Sequence, residues 1–224
     1  MKNLCVFVIA ISLVACSSSQ GFNRDYVNRS LERDTMPITD EEIRKTFELK
    51  SELKKPFKLA VYTKVESWGV HWNENDKREL LKLEQYLKNA GIVSDVVYLN
   101  SSMFEGQGLP AIRLSAARTG ADAVLVVHGA GDIDRYNNAL GVTYFLLVTP
   151  YFVPGTVSDG LFMFSASMWD VRNQYLYFTA EAEAEASAEG PAFHLHDPHV
   201  LEDAKKDAVV LLRKELEEKF SSIK

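Results

Sequence analysis

Side chains able to do chemistry sit in a few places in this sequence. His194, His196 and His199 surround Asp197, and imidazoles two and five residues apart in a loop can converge on zinc or copper. Asp197-Pro198, however, has the pattern of a helix N-cap followed by proline at the first helical position. That would occupy the carboxylate and place His199 in the first turn, so no metal is expected and the three histidines stand only as candidates. Glu181, Glu183, Glu185 and Glu189 alternate with alanines, which by period two puts carboxylates on one face of a strand. Such a row could take calcium, but charge along a sheet edge that blocks edge-to-edge pairing is the better account. Gly129-Ala130-Gly131-Asp132 follows a strand as a dinucleotide turn would, but Asp134 stands where a third glycine is needed, so no phosphate site is expected. No Gly-x-Ser-x-Gly elbow presents a serine nucleophile, and no carboxylate pair takes acid and base roles. The expectation is no catalytic residue, no enzyme activity and no cofactor.

The remaining chemistry lies in two cysteines, Cys5 and Cys16. Residues 4–14 are an apolar run behind a single charge at Lys2, too short to span a bilayer comfortably. The run ends in Leu13-Val14-Ala15-Cys16, which resembles the bacterial lipobox. The resemblance implies cleavage before Cys16, a diacylglycerol thioether on its sulfur, and acyl chains enough for stable anchoring. Ser17, in place of an acidic residue, resembles the outer-membrane sorting pattern of Gram-negative lipoproteins. With Cys5 lost and Cys16 modified the mature chain has no free thiol, which excludes disulfides, thiolate metal sites and a cysteine nucleophile.

The formal charge of −6 becomes one unit more negative once Lys2 is removed. No basic block stands out, so neither nucleic acid nor an anionic membrane surface is an expected electrostatic partner. The expected organisation is a leader over residues 1–15, a lipidated cysteine and tether over 16–37, an N-terminal helix within 38–55, and one α/β domain over 56–224.

The elements that must position these groups follow from periodicity. Thr39-Asp40-Glu41-Glu42 matches a capping box, and the helix behind it should run to about Leu53 with a thin apolar stripe of Ile43, Phe47 and Leu49. Phe57 to Tyr62 reads as a strand, followed by a loop holding Trp68, His71 and Trp72. Leu80, Leu83, Leu87 and Ala90 recur at helical spacing and stop at Gly91. A strand over residues 92–99, a short helix between Pro110 and Gly120, and the apolar run 123–127 complete β-α-β-α-β. Residues 161–169 and about 175–187 then read as an antiparallel hairpin. A last amphipathic helix, with Leu201, Ala204, Ala208, Leu212, Leu216 and Phe220 on one face, should cover the sheet. The fold class is therefore mixed α/β.

Ala117-Arg118-Thr119-Gly120-Ala121-Asp122 leading into the 123–126 run, then Trp169-Asp170-Val171 before a hairpin turn and a closing helix, resembles envelope lipoproteins related to the curli-channel lipoprotein CsgG and the TolB amino-terminal domain. Asn137-Asn138, the apolar stretch ending in Val153-Pro154-Gly155, and the hairpin are also similar to the rhombotarget lipoproteins. The likeness covers roughly residues 57–220 and implies the α/β fold. The chain stops at Lys224 without a Gly-Gly motif and membrane tail, so rhombosortase processing is not expected.

Residues 140–153 carry no charge. They form either a buried element of the core or an exposed loop for self-assembly or lipid contact, and they are too short for a helical span or for the alternating hairpins of a membrane barrel. Phe145, Leu146, Tyr151 and Phe152 are the candidate interface. The sequence thus leads to an outer-membrane-anchored periplasmic lipoprotein that acts by binding, as an accessory of an envelope complex, in contact with a protein partner or with itself. The alternatives are a metal-binding or hydrolytic protein using the 194–199 loop, and a self-associating subunit built on 140–153.

Overall fold

A computed structural model describes residues 18–31, 39–67 and 69–223. In chain order it contains helices α1 (Arg24–Leu31) and α2 (Asp40–Glu48), strand β1 (Phe57–Glu66), helix α3 (Glu74–Asn89), strand β2 (Val93–Tyr98), helix α4 (Gly108–Arg118), strands β3 (Ala123–Asn137), β4 (Thr156–Asp170) and β5 (Leu176–Gly190), and helix α5 (Asp197–Ser222). The five strands make one sheet in the order β2-β1-β3-β4-β5. β2 and β3 flank β1 in parallel, while β3, β4 and β5 form an antiparallel meander. The mixed α/β class expected from the sequence is the one observed.

The sheet is buried on both faces where its parallel and antiparallel halves meet, which is why 123–127 reads as an unbroken apolar run. On one face, Leu59, Val61, Leu125, Val127, Phe162, Phe164 and Met168 pack with Leu83 and Leu87 of α3 and with Leu201, Ala208, Leu212 and Leu216 of α5. Each fully buried leucine or phenylalanine contributes about 1.5–3 kcal/mol. On the other face, Ile112 and Ala116 of α4 pack with Ala60, Val124, Val126 and Val171. Lys205 of α5, fully buried, donates to the His71 carbonyl at 2.6 Å and pairs with Asp76 at 2.8 Å and Glu202 at 2.9 Å, locking the start of α3 to α5. A buried ammonium is tolerated because three acceptors surround it.

The structure differs from the sequence expectations in four places. First, the Gly129 to Asp132 segment is not a turn, because β3 runs on to Asn137 paired with β4 throughout. A Cβ on Gly129 would stand 2.5 Å from the Phe164 ring, and one on Gly131 2.7 Å from Phe162, so these glycines admit the large rings beneath them. Second, α2 has the expected Thr39–Glu42 capping box but stops at Glu48, and none of its residues is buried; Leu53, beyond it, reaches the core. Third, α5 begins at Asp197 itself with His196 as N-cap, because the Asp197 carboxylate accepts from Arg135 and Ser158, both at 2.8 Å.

Fourth, the part of the expected tether that is described, residues 18–31, is docked on the sheet instead of standing off from it. The leader, Cys16, Ser17, residues 32–38 and Trp68 lie outside the described residues. Among the described residues no helix is long and apolar enough to cross a membrane.

Candidate functional site

β3 and β4 carry their connection, residues 138–155, beyond the helices that cover the sheet. The connection folds into two 3-10 turns, Ala139–Leu146 and Thr149–Tyr151. Its interior is polar. The Asn138 side chain accepts from the Leu140 N–H at 2.9 Å and donates to the Pro154 carbonyl at 3.0 Å and to Glu189. The Tyr144 hydroxyl donates to the Val153 carbonyl at 3.1 Å, accepts from the Gly155 N–H at 2.9 Å, and meets the Thr156 hydroxyl at 3.1 Å. Thr143 and Thr149 hydroxyls close further turns on the Leu140 and Thr143 carbonyls. At the base a Cβ on Gly155 would come within 2.7 Å of the Gly141 nitrogen, so two glycines are needed for the backbones to touch.

The loop turns most of its large apolar side chains outward. Leu147 is 83% exposed and Phe152 77%, and Phe145, Leu146, Val148 and Tyr151 are exposed too. The 190–196 segment adds Phe193, which stacks on Tyr151 with ring centroids 4.4 Å apart. Arg135 holds that segment in place by donating to the Ala192 carbonyl at 2.6 Å, the Leu195 carbonyl at 3.3 Å and Asp197. The four candidate interface residues, Phe145, Leu146, Tyr151 and Phe152, therefore share one apolar pole. Phe193, Arg135 and Leu147 were not singled out from the sequence. Arg135 binds groups 57 to 62 residues away, and no local pattern marks such a contact.

Leu147 also has φ of +60°. A leucine held at positive φ costs on the order of 1–2 kcal/mol relative to glycine. The chain thus spends stability on placing an aliphatic side chain at the most exposed point of the pole.

The N-terminal arm lies beside this pole. Leu31 and Asn28 lie near Met163 and Ser165; Val27 is fully buried against the sheet; Arg24 pairs with Glu183 at 2.7 Å and Glu185 at 3.2 Å. The Asn23 N–H donates to Asp132 at 2.7 Å, the Gly21 N–H to Asp134 at 2.8 Å, and the Ser19 hydroxyl also to Asp134. Burial alone would raise the Asp134 pKa, but the Ser19 hydroxyl and the Gly21 and Gln20 N–H groups outweigh it and hold the carboxyl below its ordinary value. The glutamate row on β5 thus lies on one face as its spacing requires, and part of it receives the arm. The one sequence signal for that docking was Val27 and Leu31 one turn apart, which gives a short helix a single apolar edge.

The histidines are near one another without a shared focus. The rings of His196 and His199 are 5.5 Å apart, His194 is exposed, and Asp197 is engaged with Arg135 and Ser158. No group of three or more histidine, cysteine, aspartate or glutamate side chains among the described residues is arranged to hold a metal.

No family model matches the chain, and no curated protein does. Among solved structures, it is similar to a homologue of neuraminyllactose-binding hemagglutinin from Helicobacter pylori, at 11% identity over 78% of this chain and 88% of that one, with a TM-score of 0.42. It is similar to a minor lipoprotein from Acinetobacter baumannii, at 11% identity over 74% and 90% of the two chains and a TM-score of 0.38. It is also similar to lipoprotein GNA1162 from Neisseria meningitidis, at 14% identity over 71% and 99% and a TM-score of 0.34. The last two are lipoproteins by name.

Proposed function

We propose that this chain is a lipoprotein of the bacterial outer membrane, anchored through Cys16, whose α/β domain acts in the periplasm by binding, as a non-enzymatic accessory of an envelope complex. The observation that carries the reading is the Leu13-Val14-Ala15-Cys16 sequence at the end of a short apolar leader, followed directly by an arm that is docked on the domain. A thioether-linked diacylglycerol there holds the domain at the membrane without a spanning helix. The likeness of residues 117–126 and 137–155 to rhombotarget and CsgG-related lipoproteins supports the same address. Binding is the activity that an exposed apolar surface on a rigid frame supports best, since such surfaces on soluble domains mark interaction sites.

The test is the mass of the N-terminal peptide of the mature chain, isolated from envelopes, after growth with an isotope-labelled fatty acid. A peptide beginning at Cys16 with labelled acyl mass is expected, and Cys16→Ala should abolish both the label and cofractionation with outer membranes. An unmodified Cys16, or cleavage elsewhere, overturns the reading.

A further inference from the structure

We propose that the apolar pole, residues 140–153 with Phe193, inserts into the same phospholipid bilayer that holds the lipid on Cys16, so that the domain stands end-on against the membrane. This rests on the anchoring proposed above and adds an orientation and a second point of contact to it. The first argument is the path of the arm. Followed backwards from Leu31, the chain passes Met163 and Ser165, then Glu183 and Glu185, then Asp132, then Asp134. In the register of β3, β4 and β5, Glu183 lies opposite Met163 and Glu185 is level with Asp132, so the path runs from the level of Ser165 to that of Asp134, towards the 138–155 loop. Asp134 stands three residues, about 10 Å, from the end of β3. Cys16 precedes Ser19 by three residues, so it can lie no more than about 11 Å from it. The docked arm thus brings the chain, within three residues of the acylated Cys16, towards the apolar end of the molecule.

The second argument is the chemistry of the pole. Fourteen successive residues carry no charge, and several of their backbone groups are bonded within the loop to the side chains of Asn138, Thr143, Tyr144 and Thr149. Each backbone group bonded within the loop lowers the cost of bringing it into hydrocarbon. The strained Leu147, the most exposed large apolar residue of the loop, is the outermost contact. Arg135, the cation that holds the neighbouring 190–196 segment, is itself bound to Asp197 and two carbonyls. Attraction to the bilayer is therefore apolar and independent of anionic lipid. A second copy is the poorer occupant, because joining two such poles would bring Asp159 and Glu189 of each acidic chain towards those of the other.

The absence of any other thiol in the mature chain makes the test direct. The full mature protein, lipidated at Cys16, is placed in phosphatidylcholine–phosphatidylethanolamine vesicles with a nitroxide on Leu147→Cys, on Phe152→Cys or, at the opposite end of the meander, on Gln174→Cys. Relative to the Gln174 label, the two pole labels should collide with a water-soluble nickel chelate at least about tenfold less, since hydrocarbon excludes ions, and more often with oxygen. The difference should persist at high salt. Equal aqueous access at all three labels, with acyl mass on Cys16 intact, overturns this inference and leaves the anchor standing. Spin–spin broadening at the pole that grows with protein-to-lipid ratio overturns it in favour of a second copy. A Cys16 without acyl mass overturns the anchoring and this inference with it.

Discussion

The β3–β4–β5 meander turns twice, at opposite ends of the sheet, and the two ends are built by opposite rules. At one end Asp170, fully buried, accepts from the Arg172 N–H at 2.8 Å, the Asn173 N–H at 3.2 Å and the Tyr177 hydroxyl at 2.7 Å. Burial, then the bond to Asp170, pushes the Tyr177 hydroxyl up to about 12. That end hides one charge among polar partners and presents Arg172 and Gln174 to water. At the other end leucine, phenylalanine and tyrosine side chains face out. At both ends side chains bond backbone groups of the turn. A turn that only had to reverse the chain could use five residues, as 171–175 does; the other end uses eighteen, 138–155, to hold up an apolar surface.

Stability measurements would break this comparison if the two ends responded alike. Asp170→Ala strands two N–H groups and a hydroxyl in a buried site and should cost about 3 kcal/mol in urea unfolding. At the apolar end, Tyr144→Phe removes a hydroxyl bound to Val153, Gly155 and Thr156 and should cost about 1–2 kcal/mol. Leu147→Gly should go the other way, raising stability by about 1 kcal/mol through relief of the positive φ, while it removes the outermost apolar contact. A Leu147→Gly variant less stable than the parent would show that the side chain packs, and would take away the reason for treating that residue as part of an exposed surface.

The same contrast explains what could be read in the sequence. Elements with a full periodic face were legible: α3, α5 and the apolar start of β3 each bury a stripe long enough to identify the period. The 140–153 segment was legible as unusual but not as exposed, because hydrophobicity says that a segment avoids water, not which apolar phase it finds. The Asn138, Tyr144 and Gly155 contacts that turn its backbone inward depend on a tertiary arrangement. The arm was misread as a spacer for the same reason. Arg24 looks like a solvated charge until β5 places Glu183 and Glu185 beside it, and Asp132 and Asp134 look like loop residues until β3 is seen to continue past Gly131.

The smallest expected effect concerns the arm, which docks nearer the apolar end of the sheet than the other. Arg24→Ala removes two partly exposed ion pairs and should cost under about 1 kcal/mol of global stability. Its consequence should be local: faster amide exchange at Gly21, Asn23 and Val27 with the sheet unchanged. Acid should release the arm by a different route. Because the Asp134 pKa is lowered in the folded state, its contribution is fully present above the ordinary carboxylate value of about 3.9 and is lost as pH falls through the lower folded value. Exchange at Gly21, corrected for the intrinsic pH dependence of the rate, should therefore stay flat from neutral pH to about 5 and rise only below about 4, and Asp134→Asn should weaken that dependence. Release already near pH 6 would mean that a group other than Asp134 holds the arm.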